Sequence, residues 1–244
     1  MTLGIAMWSG PRNLSTAMMR SFSSRADTVV SDEPFYGAYL KATGDPQAMA
    51  EAVIAAMDCD WSSVARTLTG PNPTAAPIWY QKHMAHHMVG PIAHDDLSGL
   101  TNAFLIRDPA RVVASYAAKR VAVRPEHLGT ARQVGYFNRE ADRLGHAPPV
   151  IDSADVLRDP AGTLKLLCAA LGISWDPAML HWKPGIRDTD GIWATYWYDT
   201  VAVSTGFGPP DEGPVELGQD EQQVADACRP DYDYLSRFAL RSDA

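Results

Sequence analysis

Arg12, Ser15 and Thr16 stand where the chain turns from an apolar run into helix-forming sequence, and together they could hold an oxyanion. The stretch Gly4-Ile-Ala-Met-Trp-Ser-Gly-Pro-Arg-Asn-Leu-Ser-Thr-Ala-Met-Met-Arg20 reads as a strand, a tight loop and a helix start. The first free N–H groups of such a helix point into the loop, and its dipole favours negative charge there. Arg12 adds a fixed cation, and Ser15 and Thr16 add hydroxyl donors at the helix mouth. A phosphate-like group is the expected occupant.

What the loop lacks narrows the chemistry. A triphosphate loop of the Walker type needs a second Gly followed by Lys and Ser/Thr. Counted from Gly10, those places hold Ser15, Thr16 and Ala17, so ATP or GTP hydrolysis is disfavoured. The Gly-x-Gly-x-x-Gly spacing of dinucleotide binding is also absent. A second oxyanion element follows the apolar run Asn102-Ala-Phe-Leu-Ile106, where Arg107-Asp108-Pro109 opens another helix. Asp108 suits the cap and Pro109 the first turn. Arg107 then sits at the carboxyl end of a strand, where open parallel sheets place their ligands. Ser115, eight residues on and about two turns along the helix, is placed to face the same groove.

On these residues the chain resembles the sulfotransferases that use 3′-phosphoadenosine 5′-phosphosulfate (PAPS). Pro11-Arg12-Asn13-Leu14-Ser15-Thr16 is similar to that family's 5′-phosphosulfate loop, and Arg107 with Ser115 to its 3′-phosphate signature. Pro149-Val-Ile-Asp152, Leu157-Arg-Asp159-Pro160 and Leu164-Lys-Leu-Leu-Cys-Ala-Ala-Leu-Gly172 are similar to its late strand, acidic turn and following helix. The resemblance implies a P-loop-type three-layer α/β fold, PAPS as co-substrate, no metal, and a small-molecule acceptor offering a hydroxyl or amine. It places residues 12–16, Arg107 and Ser115 at the donor. Leu14 departs from the family's loop glycine, and a left-handed backbone is therefore not expected there. No late Arg-Lys-Gly segment is found.

The acid–base candidates lie on two other strand ends. Ser31-Asp32-Glu33-Pro34 follows the second strand, and a Glu before Pro is expected to be extended, with its carboxylate across the sheet edge. A similar Glu-Pro element in carbohydrate- and lipid-type sulfotransferases carries the presumed base. Ile78-Trp-Tyr-Gln-Lys82-His83 ends the third strand in a cation and an imidazole, similar to the Lys-x-His of cytosolic sulfotransferases without the intervening residue. Arg12, Glu33, Lys82 and His83 are the catalytic candidates, with the base either Glu33 or His83. A metal site at His83, His86 and His87 is not expected. Met84 stands where a His-Glu-x-x-His motif needs its Glu, and no third ligand is near.

These side chains must be held by alternating strands and helices, which imply a parallel sheet of about five strands covered on both faces. Strands are expected near 3–8, 28–31, 77–81, 102–106 and 149–152. Helices are expected near 15–25, 46–57, 109–119, 127–144, 160–171 and 221–228. Leu164, Leu167, Cys168 and Leu171 carry the spacing of a buried helical stripe. Lys183 to Gly218 is rich in Trp, Tyr, Gly and Pro without periodicity, and 183–244 is expected to cover the site. The 244 residues allow one domain with a substantial core. A net charge of −8 argues against nucleic acid as a partner. Cys59, Cys168 and Cys228 are widely spaced, no apolar run spans a bilayer and no basic leader is present, so a reduced cytoplasmic setting is expected. Two other classes share these features: a non-catalytic nucleotide-binding module of the same fold, which Leu14 favours, and a P-loop-type kinase or nucleotide hydrolase.

Overall fold

The computed structural model describes residues 2–92, 94–119, 122–210 and 212–241. Five strands, β1 (Leu3–Ser9), β2 (Thr28–Asp32), β3 (Ile78–Met84), β4 (Thr101–Ile106) and β5 (Val150–Asp152), form one sheet in the order β2-β3-β1-β4-β5. All neighbouring strands run parallel. The helix α1 (Ser15–Ser23) links β1 to β2, and α2 (Tyr36–Thr43), α3 (Ala50–Ala56) and α4 (Trp61–Thr69) link β2 to β3. Next come α5 (Pro109–Ala117), α6 (Pro125–Leu128) and α7 (Thr130–Leu144) between β4 and β5. After β5 follow α8 (Ser153–Arg158), α9 (Pro160–Ala170), α10 (Ala194–Trp197), α11 (Asp199–Val203) and α12 (Gln219–Ser236).

Strand alternation divides the core between the two sheet faces. Ile5, Met7, Tyr80 and Leu105 pack with Met18, Phe22, Leu164 and Leu167 from α1 and α9. Ala6, Trp8, Trp79 and Phe104 pack on the other face with Val64, Leu68, Phe137 and Leu235 from α4, α7 and α12. Because both faces are covered, the strands centre on apolar runs such as Ile5–Trp8 and Ala103–Ile106, which made them visible in the sequence. The chain leaves β1 toward β2 and later crosses to β4 on its other side. That reversal opens a crevice at the carboxyl ends of β1 and its neighbours.

Several boundaries differ from expectation. The helix expected from residue 46 begins at Ala50, because Asp45 does not cap it: its carboxylate accepts from Tyr39 Oη at 2.7 Å and Gln47 Nε2 at 3.0 Å. The span 127–144 is broken at Gly129, whose φ of 71° ends α6 and precedes α7. The last helix runs from Gln219 to Ser236, past Pro230. Helices α2 and α4 were not expected, although Trp61, Val64, Ala65 and Leu68 carry the helical spacing behind the Asp60 cap.

Gly129 is required twice over. A Cβ there would lie 2.5 Å from the His86 backbone nitrogen, and the left-handed φ disfavours any side chain. Gly129→Ala should therefore cost ~1–2 kcal/mol in backbone strain, with the contact adding to it. Urea denaturation reads this loss, and an unchanged midpoint would refute it.

Candidate active site

The β1–α1 loop takes a conformation its residue types do not favour. Arg12 (φ 58°) and Leu14 (φ 67°) are both left-handed, so the expectation for Leu14 is corrected. Neighbouring groups over-determine the turn, as a strained conformation requires. Ser153 Oγ lies 3.0 Å from Asn13 O and 2.8 Å from Ile106 O, its one proton shared between the two carbonyls, and Asn13 Nδ2 donates to Leu105 O at 3.2 Å. Arg107 Nη1 donates to Arg12 O at 2.6 Å, and the Leu14 side chain packs against the core. No side chain caps α1. Its first-turn amides, which have no partner within the helix, border a cleft of about 330 Å³.

Arg12, Arg107 and Ser115 line that same cleft. Arg12 Nε donates to Ser115 Oγ at 2.9 Å, joining the loop to α5. Asp108 caps α5 by accepting from Ala110 N at 2.8 Å and pairs with Arg229 at 2.7 Å. Burial lowers the Arg12 pKa, with Asp199 opposing, yet a guanidinium stays charged throughout the working range. Thr16 borders the cleft as well, and Ser15 is largely buried at its floor.

The second cluster lies at the tips of β2 and β3, where Asp32 and Lys82 are Cα partners in adjacent strands. Lys82 is buried and all three of its N–H groups are engaged. They reach Asp32 Oδ1 at 2.9 Å, Glu33 Oε1 at 2.6 Å and Tyr198 Oη at 2.6 Å. Burial alone would lower the Lys82 pKa, but the charges of Asp32 and Glu33 outweigh it and hold the ammonium well above the ordinary lysine value. Burial raises the Glu33 pKa; Lys82 opposes this and Asp32 reinforces it. Glu33 is not extended as expected: its φ is 43°. Its N–H continues the ladder to Lys82 O at 3.0 Å, while its carbonyl accepts from Tyr36 N at 3.0 Å to close the turn into α2. Pro34 disfavours the right-handed region for Glu33, and the left-handed one is taken instead.

His83 is placed elsewhere. Successive strand residues face opposite sides, so with Lys82 turned to the cleft His83 turns to the other core. Its Nε2 lies 3.1 Å from Gln81 Oε1 and its ring 4.6 Å from that of Trp8; burial pushes its pKa down to about 3. The imidazoles bordering the cleft are His86 and His87. His87 packs against both Tyr36 and Tyr39, at 4.7 and 4.8 Å, with Nε2 3.9 Å from Glu33 Oε2. Among the described residues no three His, Cys, Asp or Glu side chains group closely enough to hold a metal ion.

Asp32 and Tyr198 were not anticipated as site residues. Pairing the Asp32-Glu33 strand end with Lys82 would have found Asp32. Nothing in the aperiodic 183–218 stretch marks Tyr198. That stretch sends Trp193, Trp197, Tyr198 and Phe207 to the cleft, whereas α12 packs into the layer with α5 and α7.

Residues 3–237 match the sulfotransferase domain family, and the chain belongs to it. Two relatives from Arabidopsis thaliana, branched-chain-amino-acid aminotransferase-like proteins 2 and 1, are 32% and 33% identical to it. The alignments cover 95% and 98% of this chain but 41% and 43% of theirs, so the chain spans about two fifths of those relatives. Solved structures share the fold at low identity. A sulfotransferase from Alicyclobacillus acidocaldarius is 14% identical with a TM-score of 0.55, covering 99% of this chain and 97% of that one. A sulfotransferase domain from the curacin biosynthetic pathway is 14% identical with a TM-score of 0.52, covering 94% and 98%. No described helix is long and apolar enough to cross a membrane.

Proposed function

We propose that this chain moves a sulfuryl group from PAPS to a hydroxyl or amine of a small-molecule acceptor. The observation that carries this is the single cleft shared by the uncapped start of α1, Arg12, Arg107 and Ser115, with Lys82 and Glu33 on its wall. The donor set suits two separated anionic groups. The α1 amides with Arg12 and Thr16 would hold the 5′-phosphosulfate. Arg107 and Ser115 would hold the 3′-phosphate. The bound donor supplies an electrophilic sulfur and a phosphate leaving group. Fixed N–H donors and guanidinium groups can stabilise the charge that develops on that phosphate.

Glu33 is the base in this proposal. Glu33 lines the cleft, its pKa is raised by burial, and His83 packs on the opposite face of the sheet. As the acceptor oxygen bonds to sulfur and the bridging S–O bond to phosphate breaks, the acceptor proton passes to Glu33. A protonated Glu33 holds the ammonium less tightly, which frees a Lys82 N–H for the oxygens of the transferring group. A non-catalytic module would be favoured by a loop that Leu14 prevents from turning, but Leu14 takes that turn.

Arg107→Ala should weaken binding of 3′-phosphoadenosine 5′-phosphate by ~1.5–3 kcal/mol, roughly 10- to 150-fold. Binding of ADP, which lacks the 3′-phosphate, should weaken distinctly less, by no more than loss of the Arg107 contact to the Arg12 carbonyl entails. Isothermal titration of both nucleotides tests this. Equal affinities for the two in the wild type, or no change in the variant, would remove the 3′-phosphate from the proposal.

A further inference from the structure

The two carboxylates beside Lys82 are not equivalent, and the difference originates in the segment after Lys183. Tyr198, between α10 and α11, brings its hydroxyl 2.8 and 2.7 Å from the two Asp32 oxygens. The Gly191 N–H donates to Asp32 Oδ2 at 3.0 Å. Trp193 Nε1 donates to the Tyr198 oxygen at 3.2 Å, and the buried Arg20–Asp190 ion pair at 2.5 Å ties the same segment to α1. Asp32 thus faces an ammonium, a phenol and an amide. Glu33 faces the ammonium through Oε1, while Oε2 has His87 Nε2 at 3.9 Å, beyond hydrogen-bond distance.

Neighbouring carboxylates with unequal donors separate in proton affinity, because each donor to the charged form stabilises it. We propose that Tyr198 is a positioning residue whose hydroxyl fixes Asp32 as the permanent counterion of Lys82, leaving Glu33 as the carboxylate that exchanges a proton in the cleft. The identity of the proton's source, an acceptor hydroxyl or amine, rests on the sulfotransfer proposal; the division between the two carboxylates does not.

The other groups around Glu33 keep their charge state near neutrality. Lys82 on β3 remains an ammonium under the two carboxylates. Burial holds His87, after β3, in its neutral form, with His86, Lys82 and His83 adding to the effect. Burial likewise keeps Tyr36 on α2 and Tyr198 protonated. The proton is left to Asp32 and Glu33, and Tyr198 decides between them.

Tyr198→Phe removes the hydroxyl and retains the ring, which lies 4.9 Å from Lys82 Nζ. Carbon-13 NMR of the side-chain carboxyls, followed against pH, reads both acids without needing turnover. In the wild type the carboxyl that takes up a proton as pH falls should be Glu33, whose affinity for it burial raises. In the variant, which takes a donor from Asp32 and none from Glu33, proton uptake should no longer be confined to Glu33. Turnover should fall about tenfold or more, with the KM for PAPS within twofold. Proton uptake shared by the two carboxyls in the wild type, which needs no variant, would overturn the proposal, as would uptake still confined to Glu33 in Tyr198→Phe. If the titrations separate but 3′-phosphoadenosine 5′-phosphate binds no better than ADP, the donor assignment fails alone.

Discussion

Lys82→Met should lower the free energy of unfolding by ~3–5 kcal/mol at neutral pH, the size of loss seen when one partner of a buried ion pair is removed. The volume is nearly kept, so the effect is electrostatic. Asp32 and Glu33 would remain at a strand tip where both are largely buried, with no ammonium between them. Such carboxylates bind protons more tightly in the folded chain than in the unfolded one. Stability of the variant should therefore rise as pH falls from neutrality. The wild type behaves differently at the other end: the raised Lys82 pKa contributes stability below the ordinary lysine value, and that is lost as pH rises through the folded-state value. Urea denaturation at neutral and mildly acidic pH tests the sign for the variant; the wild-type loss falls in the strongly alkaline range, above the ordinary lysine value. A variant that weakens further on acidification would show that the carboxylates are not held by Lys82.

Glu33→Gln should reduce turnover by ~10²- to 10⁴-fold, the range associated with loss of a positioned general base. The amide oxygen can still accept from Lys82, so the wall of the cleft should persist. Binding of 3′-phosphoadenosine 5′-phosphate should then stay within about twofold of the wild type. Formation of that product from PAPS, measured with a panel of phenols, aliphatic alcohols and amines, gives the rate. Full turnover in the variant would move the base elsewhere. His83→Ala is the useful companion, because His83 borders Trp8 and Phe35 rather than the cleft. Its substitution should lower stability by opening a cavity while nucleotide affinity is retained.

The strands and the two arginine-bearing turns were legible because they depend on local patterns. Strands buried on both faces are mostly apolar, and the runs Ile5–Trp8 and Ala103–Ile106 announce themselves. Asp108-Pro109 and Asp159-Pro160 cap their helices as their residue types suggest, Asp159 accepting from Gly162 N at 2.9 Å. Asp45-Pro46 carries the same signal and fails, because Tyr39 Oη reaches that carboxylate first. Lys82 and His83 stand side by side in the chain and look equally eligible as catalytic groups. The pleat separates them onto opposite faces, and only the register against β2 shows which faces Asp32.

By itself, then, the amino-acid order determined a parallel α/β sheet with an arginine at each of two neighbouring strand ends, since apolar runs, caps and turn residues act over a few positions. The tertiary structure decided the rest. The left-handed turns at Arg12, Leu14 and Glu33 run against residue preference and are held by contacts from distant segments such as Ser153 and Lys82. Tyr198 lies 116 positions from Lys82 in an aperiodic stretch, yet their polar atoms are 2.6 Å apart. Contacts of that separation leave no local pattern, because they form only once burial has folded the cover segment over the sheet edge.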